Sequence, residues 1–138
     1  MVDNLTKEKV QKILVEKRKE FKNNVGFNQK ALSYKCGVTQ TTLSYYFSKT
    51  PQRIVTVIKL LHFLDLEIKD FEVIEHEKIR ESLKIALKNK CISKNFLADS
   101  MGYSDTLIRN YFDKDSKNLI TVIKLLKYLE LEIKDFYN

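Results

Sequence analysis

The chain has 138 residues, of which 43% are hydrophobic and 31% charged, a composition that favours a packed protein and excludes a disordered one. Three glycines and one proline are too few for a β-sandwich of this length, so an all-α fold is expected. The net charge of +7 favours a polyanionic partner and is concentrated in residues 1–72, which hold 13 basic and 8 acidic residues.

The first predicted helix covers residues 6–23, where apolar side chains recur at helical spacing. Residues 26–27 are expected to break it. Asn28 is a good N-cap residue, and Gly37 suits the left-handed turn that ends many helices. A second, short helix is therefore predicted between these two residues.

A third short helix should begin after Thr39, a second N-cap candidate, and end near Phe47. The pair at 50–51, Thr-Pro, predicts the start of a fourth helix, because proline is preorganised for the first helical position. A last turn or short helix should contain Ile68 and Phe71. Residues 1–72 thus hold a compact helical unit of five elements.

The chain repeats this unit. Residues 55–71 read VTVIKLLHFLDLEIKDF and residues 120–136 read ITVIKLLKYLELEIKDF, with 13 of 17 positions identical at an offset of 65 residues. Such identity indicates a tandem duplication. We predict two domains, residues 1–72 (the first repeat) and residues 73–138 (the second repeat).

The second repeat carries the same capping pattern, with Ser93 and Ser104 in the N-cap positions. The stretch that joins the repeats lacks the Gly, Pro and Ser clusters of a flexible linker. A short, stiff, helical junction near residues 72–77 is therefore expected. Each repeat alone is small for a stable core, which favours packing of the two together or dimerisation.

The stretch QKALSYKCGVTQTTLSYYF, residues 29–47, predicts two short helices that cross at a tight glycine turn. Ser33 supplies the small residue that such a crossing needs, as does Ala98 in the second repeat. Apolar residues fall on the inner side of the third helix. The residues expected to face outward are Gln40, Thr41, Ser44, Tyr45 and Ser48.

These residues, followed by a fourth helix and by LEIKDF at 66–71, resemble the Cro/CI (XRE) family of helix-turn-helix repressors. The resemblance covers residues 10–71 well and residues 79–136 more loosely. It implies two tandem, five-helix, lambda-repressor-like helix-turn-helix domains in a bacterial or phage protein. Double-stranded DNA is the partner that this resemblance implies.

The resemblance also assigns roles by position. Gln29 would touch a phosphate and brace Gln40, which would read an adenine through its amide. Thr41, Ser44 and Tyr45 lie next along the same face and would contact base edges or a thymine methyl group. Phosphates would be held by residues that flank the third helix. These are Ser48, Lys49 and Arg53, while the basic run at 17–22 fits either a solvated helix face or a phosphate clamp.

The second repeat departs from this pattern. Lys94 stands at the Gln29 position and could still hold a phosphate, but Asp105 replaces Gln40. A carboxylate is repelled by the DNA backbone and accepts a base hydrogen bond only from cytosine. The DNA-binding candidates that remain on this helix are Thr106, Arg109 and Asn110. We therefore expect the first repeat to be the main DNA reader and the second to be an auxiliary or dimerising unit.

Two arrangements stay open. The near-identity of the LEIKDF segments suits a homodimer through these segments or through the second repeat. It equally suits a pseudo-dimer within one chain, with both repeats on one DNA. The sequence offers no choice between them.

The leading functional hypothesis is a sequence-specific transcriptional regulator, most simply a repressor. The alternative is a protein-interaction module on the same scaffold, such as an antitoxin or an inhibitor of a bacterial or phage enzyme.

An enzyme is not expected, since His62 and His76 lack Cys or carboxylate partners at metal-ligand spacing and no phosphate-binding glycine loop occurs. No catalytic residue, metal, cofactor or small-molecule ligand is predicted. Without a long apolar run or a signal peptide, the expected location is cytoplasmic, at the nucleoid.

Overall fold

The computed structural model describes residues 3–22 and 28–137, and this part of the chain is helical without any β-strand. The all-α prediction is therefore confirmed. Four α-helices and one short 3-10 helix occur in each repeat, in the same order. The α-helices are α1 Lys7–Lys22, α2 Gln29–Cys36, α3 Gln40–Ser48, α4 Gln52–Phe63, α5 His76–Asn89, α6 Lys94–Met101, α7 Asp105–Asp113 and α8 Lys117–Tyr128. The 3-10 helices are Ile68–Asp70 and Ile133–Phe136.

The short helices begin at the capping residues that the sequence indicates. The Asn28 side chain accepts a hydrogen bond from the second backbone N–H of α2 at 2.8 Å, and the Thr39 side chain accepts one from the third backbone N–H of α3 at 3.1 Å. Ser93 and Ser104 cap α6 and α7 at 3.0 and 3.1 Å. Each cap satisfies an amide that the helix itself leaves unpaired, which fixes where these helices start.

A glycine ends the second helix of each repeat. Gly37 has φ of 72° and Gly102 has φ of 75°, the left-handed region that side chains with a Cβ rarely adopt. The predicted tight turn is thus present between α2 and α3 and, in the second repeat, between α6 and α7. Ser33 and Ala98 are buried at the crossing, as expected for small residues there.

Two boundaries differ from the sequence predictions. The junction between the repeats is not helical over residues 71–75, with a bend at residues 72–73, and α5 begins only at His76. The β-branched pair at 73–74 disfavours a helix, and the buried ring of Phe71 anchors the chain at the end of the first repeat. Pro51 is the N-cap of α4 and not its first residue. The predicted break at 26–27 lies outside the described residues.

One buried core runs through both repeats. The fourth helices α4 and α8 pack against each other, and α8 also packs against α2 of the first repeat. The hydroxyl of Thr121 on α8 lies 3.5 Å from the carbonyl oxygen of Cys36, and the hydroxyl of Thr56 on α4 lies 3.3 Å from that of Tyr103. The two threonines occupy equivalent positions in the two repeats. Each one contacts the segment that joins the second and third helices of the other repeat, residues 36–39 or 101–104, which we call the helix-turn segment.

The two LEIKDF segments, residues 66–71 and 131–136, also exchange hydrogen bonds. The Glu132 carboxylate accepts from the backbone N–H of Ile68 at 2.8 Å, and the Glu67 carboxylate accepts from the N–H of Ile133 at 2.7 Å. Each glutamate therefore caps the 3-10 helix of the opposite repeat. This reciprocity gives the chain a pseudo-two-fold arrangement about the pair of segments.

Candidate nucleic-acid interface

Helix α3 divides cleanly into a buried and an exposed face. Leu43, Tyr46 and Phe47 are at most 4% exposed and hold the helix on the core. The polar side chains on the opposite face are exposed, and Tyr45 keeps 46% of its surface accessible. The outward set is the one that the sequence indicates, namely Gln40, Thr41, Ser44, Tyr45 and Ser48.

The carboxyl end of α3 is fixed by side chains from outside the helix. The Gln11 amide on α1 donates to the carbonyl oxygen of Phe47 at 3.2 Å and also to that of Ser48. The buried hydroxyl of Thr50 donates to the carbonyl oxygen of Tyr46 at 2.7 Å. Free carbonyls at a helix end need such donors, so these contacts hold the exposed face of α3 in one orientation.

Gln29 braces α3, but at a different residue from the one expected. Its amide donates to the Ser44 hydroxyl at 2.9 Å, whereas Gln40 was the expected partner. Ser44 lies one turn further along α3, so the amide of Gln29 meets the middle of the helix instead of its start. Because the Ser44 oxygen is the acceptor in this bond, its own proton remains available for an outside acceptor.

The flanking candidates Ser48, Lys49 and Arg53 are all exposed. Ser48 turns its hydroxyl toward the carbonyl oxygen of Tyr45 at 3.5 Å. The guanidinium carbon of Arg53 lies 5.4 Å from the centre of the Tyr46 ring, a cation–π distance that holds the charge beside α3. These residues place positive charge and a hydroxyl at the carboxyl side of the exposed face.

The electrostatic setting of α3 contains a signal that sequence analysis missed. From Phe21 to Leu64, 44 consecutive residues include six basic and no acidic side chains. The corresponding residues of the second repeat, 86–129, include four aspartates. Counting charges over the whole repeat hides this contrast, since the acids of the first repeat lie at its two ends.

Two residues of α1 support α3 in ways that sequence analysis did not predict. Gln11, described above, caps the end of α3, and Arg18 places its guanidinium 4.5 Å from the centre of the Phe47 ring. Both lie among charged and polar neighbours on α1, so no periodic pattern distinguishes them. Arg18 is the one member of the basic run at 17–22 with a described contact to α3, while Lys17 pairs with Glu20 at 3.3 Å.

Several charged side chains of the second repeat form ion pairs or hydrogen bonds within the chain. Lys94 forms an ion pair with Asp113 at 2.8 Å, and the hydrogen bond from Lys94 keeps the pKa of that carboxyl below its usual range. Arg109 donates to the side chain of Asn95 at 3.0 Å. Asp113 therefore already neutralises part of the positive charge that Lys94 would offer to a phosphate.

The outward face of α7 is chemically unlike that of α3. Asp105, Thr106, Arg109 and Asn110 are exposed, and the aspartate lies at the amino end of the helix, where the helix dipole favours a negative charge. The face thus combines an acid, a hydroxyl, a guanidinium and an amide. It offers both donors and acceptors, but less net positive charge than the surroundings of α3.

Other classes of site are not apparent in residues 3–22 and 28–137. No three His, Cys, Asp or Glu side chains come close enough to hold a metal ion in that part of the chain. None of its helices has the length and apolar character needed to cross a bilayer. Comparison with models of protein families, with curated proteins and with solved structures gave no match.

Proposed function

We propose that the protein is a sequence-specific DNA-binding transcriptional regulator built from two tandem helix-turn-helix domains of the Cro/CI (XRE) type. The observation that carries the proposal is the exposed face of α3, which presents amide and hydroxyl groups within an acid-free stretch of 44 residues. Such a helix fits the major groove, and α2 would lie across the phosphates.

Base selection would come from four residues on α3. The amide of Gln40 can make two hydrogen bonds to adenine, the contact for which glutamine is well suited. Thr41 offers a methyl group to thymine, and Ser44 offers the proton that its bond with Gln29 leaves free. Tyr45, next to Ser44, adds a phenol that donates or accepts at a base edge or a phosphate.

Phosphate contacts would position the helix without adding sequence information. Ser48, Lys49 and Arg53 flank the face on one side, and Gln29 lies at the amino end of α2. Each neutralised phosphate releases counterions, so binding should weaken steeply as salt is added. No catalytic step is required: a repressor acts by occupying a promoter in the cytoplasm of a bacterial cell.

The proposal is tested by selecting bound sequences from random DNA at moderate salt. We expect an enriched motif, and we expect Gln40→Ala to weaken binding to it by about 1–3 kcal/mol with little effect on random DNA. Asn89→Ala is the matched control, because Asn89 is an exposed amide at the end of α5. No enriched motif, or equal behaviour of the two variants, contradicts the proposed reading helix.

One observation favours a second candidate, a protein-interaction module such as an antitoxin. Three large side chains without polar atoms, Val73, Ile85 and Phe96, are 48–56% accessible in the second repeat, while the exposed aromatic residues of the first repeat are Tyr34 and Tyr45. Val73 and Ile85 line one shallow cleft, and adjoining exposed apolar groups are the feature that marks protein contacts. A complex with a defined bacterial or phage enzyme that Asp105→Lys abolishes, together with no DNA affinity above background, would establish this candidate in place of the first.

A further inference from the structure

We propose that one chain acts as a complete pseudo-dimer, which reads a bipartite DNA site with two unlike halves through α3 and α7. This inference rests on the proposed function. The inference goes beyond the proposed function because it assigns the number of chains on the DNA, the symmetry of the DNA site and a base-reading role for the second repeat.

The first step concerns the LEIKDF segments. Ile68, Phe71, Ile133 and Phe136 are at most 2% exposed, so the apolar side of both segments is buried within the chain. Their amino-terminal amides are also satisfied, since each segment receives the glutamate of the other. The segments that sequence analysis offered for a homodimer are thus already paired with each other.

The second step concerns rigidity. Helices α4 and α8 pack together, and Thr56 and Thr121 each reach from the fourth helix of one repeat to the helix-turn segment of the other. Thr121 contacts the last residue of α2, directly before the Gly37 turn. The segment that precedes α3 and the segment that precedes α7 are thus each attached to the fourth helix of the opposite repeat. The packing of the two repeats therefore sets the spacing between α3 and α7.

The third step concerns the chemistry of α7. Arg109 and Asn110 are exposed side chains of the types that read guanine and adenine in the major groove. Arg109 donates a hydrogen bond to the side-chain oxygen of Asn95, which limits its rotation while leaving it on the surface. Because Ser44 and Tyr45 occupy these positions in α3, the two helices must prefer different bases, and a palindrome cannot suit both.

The fourth step concerns the distribution of affinity. In the second repeat Lys94 forms an ion pair with Asp113, and Arg80 forms an ion pair with Asp115. Phosphate attraction is therefore weaker there, and the first repeat should supply most of the non-specific binding. We expect α7 to add selectivity once α3 is bound, with the half-site centres about one helical turn apart, as for two-fold helix-turn-helix proteins.

The experiment uses the full chain. Selection from random DNA should yield two unlike half-sites, and sedimentation with the selected duplex should give one chain per duplex. Arg109→Ala should remove the preference at the second half-site and weaken binding about tenfold or more, while leaving the first half-site unchanged. Lys88→Ala, an exposed cation at the end of α5, is the control and should do neither.

Spacing gives a second readout that needs no variant protein. Inserting about five base pairs between the half-sites turns one half to the opposite side of the duplex and should abolish the contribution of the second half-site. A palindrome bound by two chains, or one half-site that Arg109→Ala leaves unaffected, overturns the pseudo-dimer while the proposed function stands. Absence of any sequence preference overturns both.

Discussion

The carboxyl groups of Glu67 and Glu132 each accept backbone N–H groups from the other repeat, which brings the two carboxyl groups together at the repeat interface. Burial, and then the hydrogen bond and charge of Glu67, raise the pKa of Glu132 above its ordinary value of 4.5. A proton is therefore retained at the repeat interface more readily in the folded chain than in the unfolded chain.

The raised pKa predicts a pH dependence of stability. Because the folded state binds the proton more tightly, the free energy of unfolding should fall as the pH rises from 4.5 through the raised pKa of Glu132. Glu132→Gln keeps an acceptor for the Ile68 N–H but cannot ionise, so it should lack this contribution. Urea unfolding between pH 4.5 and 7 measures the difference, and Glu72→Gln is the exposed control. Parallel pH profiles for wild type and Glu132→Gln would show that the carboxyl pair is not responsible.

The two cysteines should differ in reactivity. Cys36 is 2% exposed, and burial raises the pKa of its thiol to about 11, whereas Cys91 is exposed. Thiolate is the reactive form, so a thiol reagent at pH 8 should label one cysteine quickly in the folded chain and both in urea. Cys91→Ser should remove the fast phase. Two fast thiols in the native protein would mean that α2 does not stay packed on α8.

The glycine turns should be costly to substitute because of backbone conformation alone. A Cβ at Gly37 or Gly102 would meet no atom within 4 Å, so the expected loss comes from the positive φ. Gly37→Ala and Gly102→Ala should each lower the free energy of unfolding by about 1–2 kcal/mol in urea titrations. Ser100→Ala, in an exposed helical position, is the control and should cost little. An alanine at Gly37 as stable as wild type would contradict the left-handed turn.

Arg18 should stabilise the chain through packing more than through charge. Its guanidinium carbon lies 4.5 Å from the centre of the Phe47 ring, and its Nε is buried without a hydrogen-bond partner among the described residues. We expect Arg18→Ala to cost about 1–2 kcal/mol and Arg18→Met to recover most of that loss. The slope of DNA affinity against salt should be the same for both variants as for wild type. A smaller slope for Arg18→Met would indicate a phosphate contact instead.

The features that sequence analysis predicted well depend on local chemistry. Asn28, Thr39 and Gly37 act on amides or dihedral angles within three residues of themselves, so their identity fixes the helix ends. The inner and outer faces of α3 follow from apolar spacing in the same way. The helix predicted at 72–77 is present only at 76–77, because a lack of Gly and Pro was taken as a helix signal although the β-branched Val73 and Ile74 disfavour a helix.

The features that sequence analysis could not reach involve distant residues. The duplicated LEIKDF segments predict two equivalent surfaces, but not that each surface is the partner of the other. The Glu67 and Glu132 side chains meet across a separation of 65 residues, and no local pattern encodes that meeting. The same holds for Gln29, which has two polar candidates on α3 and selects Ser44 by geometry.

The contact between α2 and α8 has a consequence for how the protein is made. Thr121 and Cys36 are 85 positions apart, so the ribosome releases α2 long before the helix that covers it has been synthesised. During that interval the nascent chain exposes apolar surface that it later hides. We therefore expect the first repeat to finish folding only after α8 has left the ribosome, so that chaperones can bind the first repeat in the interval.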